Sequence, residues 1–153
     1  MNFKSIDEIL DYAIDKEKEA VAFYNELSKK ESIASLALTF KELAQEEAKH
    51  VKLLTNLSKN QSAIGSYELK KVTDLKVSDY LVDMEYTEGM LMQDILVLAM
   101  KREEMAVKLY TNLAMGAVDQ ESAKLFKLLA QEEAKHKLTF ERLYDDDLAG
   151  QGN

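Results

Sequence analysis

Cysteine, proline and tryptophan are absent from this chain of 153 residues, which has only five glycines and two histidines. Without cysteine there is no disulfide framework, no thiolate metal site and no cysteine nucleophile. With no proline and so little glycine, nothing interrupts long helices. Long apolar runs are also missing. The longest, Ile95 to Met100, is far short of a membrane span, and the first residues are already broken by acids, unlike a secretory signal. Basic charge is in deficit. Lys plus Arg number 20 against 28 Asp plus Glu, a net charge of −8, and no basic run suggests a face that would track phosphates. A soluble, cytoplasmic protein that binds neither nucleic acid nor membrane is therefore expected. The hydrophobic share of 46% and the length suit one domain over residues 1–153 with a real core.

The chain is an internal duplication. At an offset of 86 residues, Leu43-Ala-Gln-Glu-Glu-Ala-Lys-His50 recurs unchanged as Leu129 to His136. Upstream, Glu17, Ala20, Val21, Tyr24 and Leu27 recur as Glu103, Ala106, Val107, Tyr110 and Leu113. Residues 16–57 and 102–143 agree at 17 of 42 positions without a gap. Each copy reads as two helices. The first is expected from the capping box Ser5-Ile-Asp-Glu8 to about Lys29, and the second from about Ser32 to Ser58. The third is expected from about Leu91 to Met115, with Gly116 as its stop, and the fourth from about Asp119 to Asp145.

Short links make the helices of each pair antiparallel neighbours. Residues 60–90 form a connection of different character, with a β-leaning piece around Tyr67–Val77 and a short helix expected over Ser78 to Met84. About 20 extended residues reach on the order of 60 Å, and a helix of about 28 residues is roughly 42 Å long. The connection can therefore cross a bundle end to end. The expected fold is an all-α four-helix bundle, two duplicated antiparallel pairs joined by a long crossover.

Stepping by three and four residues traces an apolar stripe along each helix. The first runs Phe3, Ile6, Leu10, Ala13, Glu17, Ala20, Tyr24, Leu27, and the second Phe40, Leu43, Glu47, His50, Leu54, Leu57. The third runs Met92, Leu96, Ala99, Glu103, Ala106, Tyr110, Leu113, and the fourth Phe126, Leu129, Glu133, His136, Phe140, Leu143. Every stripe is broken near its midpoint by a glutamate. On the second and fourth helices a histidine follows at i+3, and these are the only histidines in the chain. Four carboxylates in a dry core carry about −4, which must be met by protonation, by basic partners or by cations. No lysine or arginine stands on these stripes. Two divalent metals would balance the charge, with two neutral imidazoles completing the ligand set. One Glu from each of two helices plus Glu-x-x-His from each of the other two is how di-iron and di-manganese bundles are already known, and the match is to that pattern. Oxygen-rich ligands with one nitrogen per metal suit iron, or manganese, better than a structural zinc.

Other residues have plainer readings. Glu46 and Glu132 lie off the stripes and read as solvated or as neighbours of the ligands, and Glu19 and Glu104 read as surface. Tyr24 and Tyr110 either fill the core with a bonded hydroxyl or act beside the metals, through a hydrogen bond to a ligand carboxylate or as redox-active phenols. The methionines at 84, 90, 92, 100, 105 and 115 suit packing in the core or across a homodimer contact.

The motifs Glu17-x-x-Ala20-x-x-Phe23-Tyr24, Glu47-x-x-His50, Glu103-x-x-Ala106-x-x-Leu109-Tyr110 and Glu133-x-x-His136 together resemble the rubrerythrin branch of the ferritin-like superfamily. The resemblance covers both helix pairs. It implies a non-haem di-iron centre that reacts with hydrogen peroxide or dioxygen. Glu17, Glu47, Glu103 and Glu133 would be terminal or bridging ligands, and His50 and His136 terminal nitrogen ligands. Two departures bear on this. The paired cysteines of a rubredoxin-like iron site are missing, so electrons would come from an external donor. Ala106 stands where the family carries a second carboxylate on the third helix, which puts a rubrerythrin-type peroxidase cycle in question. The lack of a fifth helix argues against a storage cage. A metal-binding, iron-handling protein without turnover, and a structural bundle with a vestigial site, are the alternatives.

Overall fold

The computed structural model describes residues 3–59, 75–117 and 119–151, which group into two compact units divided between residues 74 and 75. Four long helices account for most of them: α1 (Ile6–Lys30), α2 (Ala34–Lys59), α3 (Met92–Gly116) and α4 (Gln120–Gln151). No strand forms among the described residues. Most of the β-leaning piece expected around Tyr67–Val77 lies outside them.

The first unit is the α1–α2 hairpin. The Ser5 Oγ accepts from the Glu8 N–H at 3.2 Å, so α1 starts where the capping box placed it. Glu8 returns a bond to the Lys4 N–H at 2.6 Å, one residue outside the usual reciprocal partner. Lys29 and Lys30 close α1, where cations suit the helix dipole. A link of three residues, 31–33, turns the chain, and the Ser28 hydroxyl donates to the Ala37 carbonyl at 2.7 Å, tying the end of α1 to the start of α2. α2 begins two residues later than Ser32. The Glu31 carboxylate instead holds the Ile33 N–H at 3.1 Å in the turn.

The second unit holds α3 and α4. The short helix expected over 78–84 is a single 3-10 turn, Val77–Tyr80. Its Tyr80 ring is buried, and the Asn112 side-chain amide donates to the Tyr80 hydroxyl at 2.9 Å. Lys108, one turn earlier on α3, donates to the Asp79 carbonyl at 3.2 Å and lies 5.9 Å from the Tyr80 ring centre. Turn 87–90 leads into α3, with the Met90 N–H bonded to the Thr87 carbonyl at 3.2 Å. Gly89 takes φ +86° at its third position, as a type II turn requires. Gly116 is the last residue of α3, and Ala117 is the extended residue that ends it. The Asp119 carboxylate caps α4 through the Ser122 N–H at 2.8 Å. α4 runs six residues past the expected end at Asp145, because one glycine (Gly150) without a proline does not stop a helix.

In both units the traced stripes are the buried faces. Leu10, Ala13, Tyr24 and Leu27 on α1, and Phe40, Leu43 and Leu54 on α2, are buried. Their counterparts in the second unit are Leu96, Ala99, Tyr110 and Leu113 on α3, and Phe126, Leu129 and Phe140 on α4. A neighbouring row deepens each face: Ile9 and Phe23 on α1, matched 86 positions on by Ile95 and Leu109 on α3. Burying such a side chain fully contributes about 1.5–3 kcal/mol. These rows hold the polar interruptions away from water. Among the described residues, no helix is long and apolar enough to cross a membrane.

Candidate metal centre

Within the α1–α2 hairpin, helical spacing puts Glu47 and His50 on one face of α2, a turn apart. Antiparallel packing brings Glu17 of α1 level with them. The His50 Nδ1 lies 3.5 Å from the Glu17 Oε2 and 3.6 Å from the Glu47 Oε1. In the α3–α4 hairpin the His136 Nδ1 lies 3.8 Å from the Glu103 Oε2 and 3.6 Å from the Glu133 Oε1. Each hairpin thus carries a triad of two carboxylates and one imidazole, with its donor atoms all within 4.8 Å of one another. All six residues are only 1–4% exposed.

The spacing discriminates between two uses of these atoms. A charge-assisted hydrogen bond between imidazole and carboxylate would draw nitrogen and oxygen to about 2.7–2.9 Å. Donors that share an ion at about 2.1 Å each are instead held about 3–4.3 Å apart, according to the angle at the ion. The observed separations of 3.5–3.8 Å belong to the second range. Charge agrees. Two buried carboxylates per hairpin carry about −2, which one divalent cation balances, whereas leaving such charge unmatched in an apolar core is strongly unfavourable. The donor chemistry, mostly oxygen with one imidazole, suits iron or manganese. The triads therefore fit a metal ion. In both, Nδ1 is the ring nitrogen turned toward the carboxylates.

Glu19, Glu46 and Glu104 are exposed, and Glu132 is half-buried. Tyr24 and Tyr110 are buried on the same faces as Glu17 and Glu103, two turns further along, and the Tyr24 ring tilts against Phe23 at 5.5 Å. Ala20 and Ala106 are half-buried one turn from those glutamates. Met115 is exposed, while Met84, Met90, Met92, Met100 and Met105 are half-buried. Among the described residues, the buried groups able to hold a metal are drawn from the six side chains of the triads. Sequence reasoning could not have said which imidazole nitrogen faces the carboxylates, since that depends on side-chain torsions.

Known proteins bear on both fold and family. A protein of Thermotoga maritima, proposed to be a ferritin-like diiron-carboxylate protein, is similar in structure with a TM-score of 0.78. The similarity covers 96% of this chain and 99% of that one at 22% identity. A hypothetical protein of Pyrococcus furiosus is similar with a TM-score of 0.71, covering 92% of this chain and 89% of that one at 29% identity. No curated protein matches the chain. The likeness to these structures shows the fold: an all-α, ferritin-like four-helix bundle of two antiparallel helix pairs. The sequence profile of the rubrerythrin family matches residues 8–85 and 94–150, so it takes in both triads and both helix pairs, and by that match the chain belongs to the rubrerythrin family.

Proposed function

We propose that this protein is a non-haem di-iron carboxylate oxidoreductase that reacts with hydrogen peroxide or dioxygen, in a role of oxidative-stress defence or iron handling. The observation that carries the reading is the buried Glu/Glu/His triad, present once in each hairpin with donor atoms spaced for a shared ion. In this reading Glu17, Glu47 and His50 join Glu103, Glu133 and His136 as the six ligands of one dinuclear centre. When bound, the two irons supply electrons and Lewis acidity to the oxidant.

The four carboxylates would hold the cations and neutralise their charge. The two imidazoles would each offer Nδ1 as a nitrogen ligand. Phe40, Leu43 and Leu54 on α2, with Phe126, Leu129 and Phe140 on α4, exclude water around the ligands, so that the charges act in a medium of low dielectric. Tyr24 and Tyr110, buried two turns along the ligand faces, are each able to hold a proton at the hydroxyl. The chain has no cysteine, so the reading requires an external electron donor. A cytoplasmic homodimer is part of the same proposal.

A second reading, metal binding and iron handling without turnover, is favoured by Ala106, which leaves the face of α3 that carries Glu103 without a second carboxylate one turn on. One experiment separates the two. Protein purified without chelator is analysed for metal, then reduced anaerobically and mixed with peroxide or with dioxygen. The oxidoreductase reading expects iron in the protein and fast, repeated oxidant consumption when a reductant is supplied. Stable iron binding with no consumption leaves the second reading. Substituting leucine for Glu47 and Glu133 should abolish binding under both.

A further inference from the structure

Residues seven apart on a helix lie two turns apart and only about 20° round its surface, so a row of them is expected to be buried or exposed together. Two adjacent rows of α1 break that rule. Ala13, Ala20 and Leu27 are buried, half-buried and buried, and Ile9, Lys16 and Phe23 are buried, exposed and buried. The second half repeats both breaks. Ala99, Ala106 and Leu113 are buried, half-buried and buried, and so are Ile95, Arg102 and Leu109 in the same order. Small size is not the cause, because Ala13 and Ala99 are as small and are fully buried. The ligand rows of the other two helices stay closed: Phe40, Glu47 and Leu54 on α2, and Phe126, Glu133 and Phe140 on α4, are buried throughout.

Both breaks fall at the level of a ligand. Lys16 and Ala20 bracket Glu17 on one flank of α1, and Arg102 and Ala106 bracket Glu103 on the same flank of α3. Glu17 and Glu103 are themselves only 3% and 2% exposed, so solvent comes up to each carboxylate and stops there. The wall beside the ligand is a methyl group in each half. On α1 the rim is charge-balanced, since the Lys16 Nζ lies 3.2 Å from the Glu19 carboxylate. Such an opening suits a small neutral solute better than an anion or a bulky one. We propose that Ala20 and Ala106 mark the access route to the buried carboxylates, and that their small size selects hydrogen peroxide and dioxygen over organic hydroperoxides. This rests on the di-iron reading above and adds to it the residues that set which oxidant passes. A longer side chain at either position lies along the same flank and closes the route.

The test uses the full chain loaded with manganese(II) and reads the relaxation rate of bulk water protons, which the ion enhances only while water reaches it. Ala20→Leu/Ala106→Leu is expected to take up as much metal as the wild type and to lose most of the enhancement, with each single substitution losing part. Where far-UV circular dichroism shows the leucine pair unfolded, Ala20→Val/Ala106→Val replaces it and loses less. Ala48→Leu, beside Glu47 in the chain but exposed on α2, should keep the wild-type rate. In a second arm, protein loaded anaerobically with ferrous iron is mixed with hydrogen peroxide or with tert-butyl hydroperoxide. The wild type should be oxidised many times faster by hydrogen peroxide, and the leucine pair should slow that reaction several-fold. Folded, metal-loaded leucine or valine pairs that relax water as the wild type does overturn the access route. Equal rates with the two hydroperoxides overturn the selection by size. A wild-type chain that takes up no metal overturns the di-iron reading itself, and the missing metal tells that failure from the other two.

Discussion

Glu47 and Glu133 pose the sharpest conflict between stability and function, because each puts a carboxylate at the centre of an otherwise apolar helix face. Without a cation, two buried carboxylates this close repel each other and each is costly to desolvate, so replacing one with an apolar side chain of similar size relieves both. Glu47→Leu is therefore expected to raise the melting temperature of the metal-free protein while abolishing the rise that added metal gives the wild type. Thermal melts with chelator and with manganese(II) check both halves of that statement. Tyr80 offers a residue-level prediction of another kind. Burial raises its phenol pKa above the ordinary 10.0, the hydrogen bond from Asn112 lowers it, and the Asp79 charge raises it. A raised pKa means that the folded state keeps its proton longer than the unfolded chain does. This contribution to stability is whole below pH 10 and is lost as pH climbs from there through the folded value. Urea midpoints between pH 8 and pH 11 should fall more for wild-type protein than for Tyr80→Phe. Residues on the stripes, the six triad members included, were legible because helical periodicity alone puts them inward. Ile9 and Ile95 were not, since a narrow stripe traced by threes and fours passes over the neighbouring row. Tyr80 was hidden for another reason: its burial depends on Asn112 and Lys108, about 30 positions away in the chain.

Helix bounds were legible to within two residues everywhere except at the end of α4. Ser5 and Asp119 are capping residues whose side chains accept a bond from an N–H three residues on, at 3.2 and 2.8 Å. Ser5→Ala and Asp119→Ala should each cost about 1 kcal/mol. The two caps share no partner, so the losses should add within about 0.5 kcal/mol in the double variant, measured by chemical denaturation. A double variant markedly better or worse than the sum would show that the two hairpins do not respond independently. The end of α4 was the exception, because nothing in the chain marks it strongly. α3 stops at Gly116, whereas α4 continues through Asp145, Asp146 and Asp147 although acids near a helix C-terminus are unfavourable by a few tenths of a kcal/mol. Such small terms rarely stop a helix that has no proline to break it. The expected helix over 78–84 shrank to one turn because the Tyr80, Asn112 and Lys108 contacts fix the chain at Val77–Tyr80 and leave nothing to extend it.

At the scale of the whole molecule, the duplication did most of the predictive work: a match at an offset of 86 residues made each helix pair evidence for the other. It said nothing of residues that have no counterpart, such as the turn at Val77–Tyr80. The same duplication makes the effect of metal removal calculable. A ligand bound only by the folded state adds stability by mass action, about 2.7 kcal/mol for a site at 100 times its dissociation constant. Two filled sites would then add about 5 kcal/mol, a sizeable part of the 5–15 kcal/mol typical of a folded domain. Chelation should therefore lower the melting temperature by many degrees. It should leave the helices formed at low temperature, because the apolar rows beside the ligands contribute burial that does not depend on metal. The melting temperature should rise smoothly with free manganese(II) or, anaerobically, iron(II), and the far-UV spectrum at low temperature should hardly change. If Glu47→Leu/Glu133→Leu melts at the same temperature with and without metal while the wild type responds, the gain comes from these buried carboxylates. A wild-type melting temperature indifferent to both metal and chelator would mean that the triads hold no ion, and that the buried charge is met in some other way.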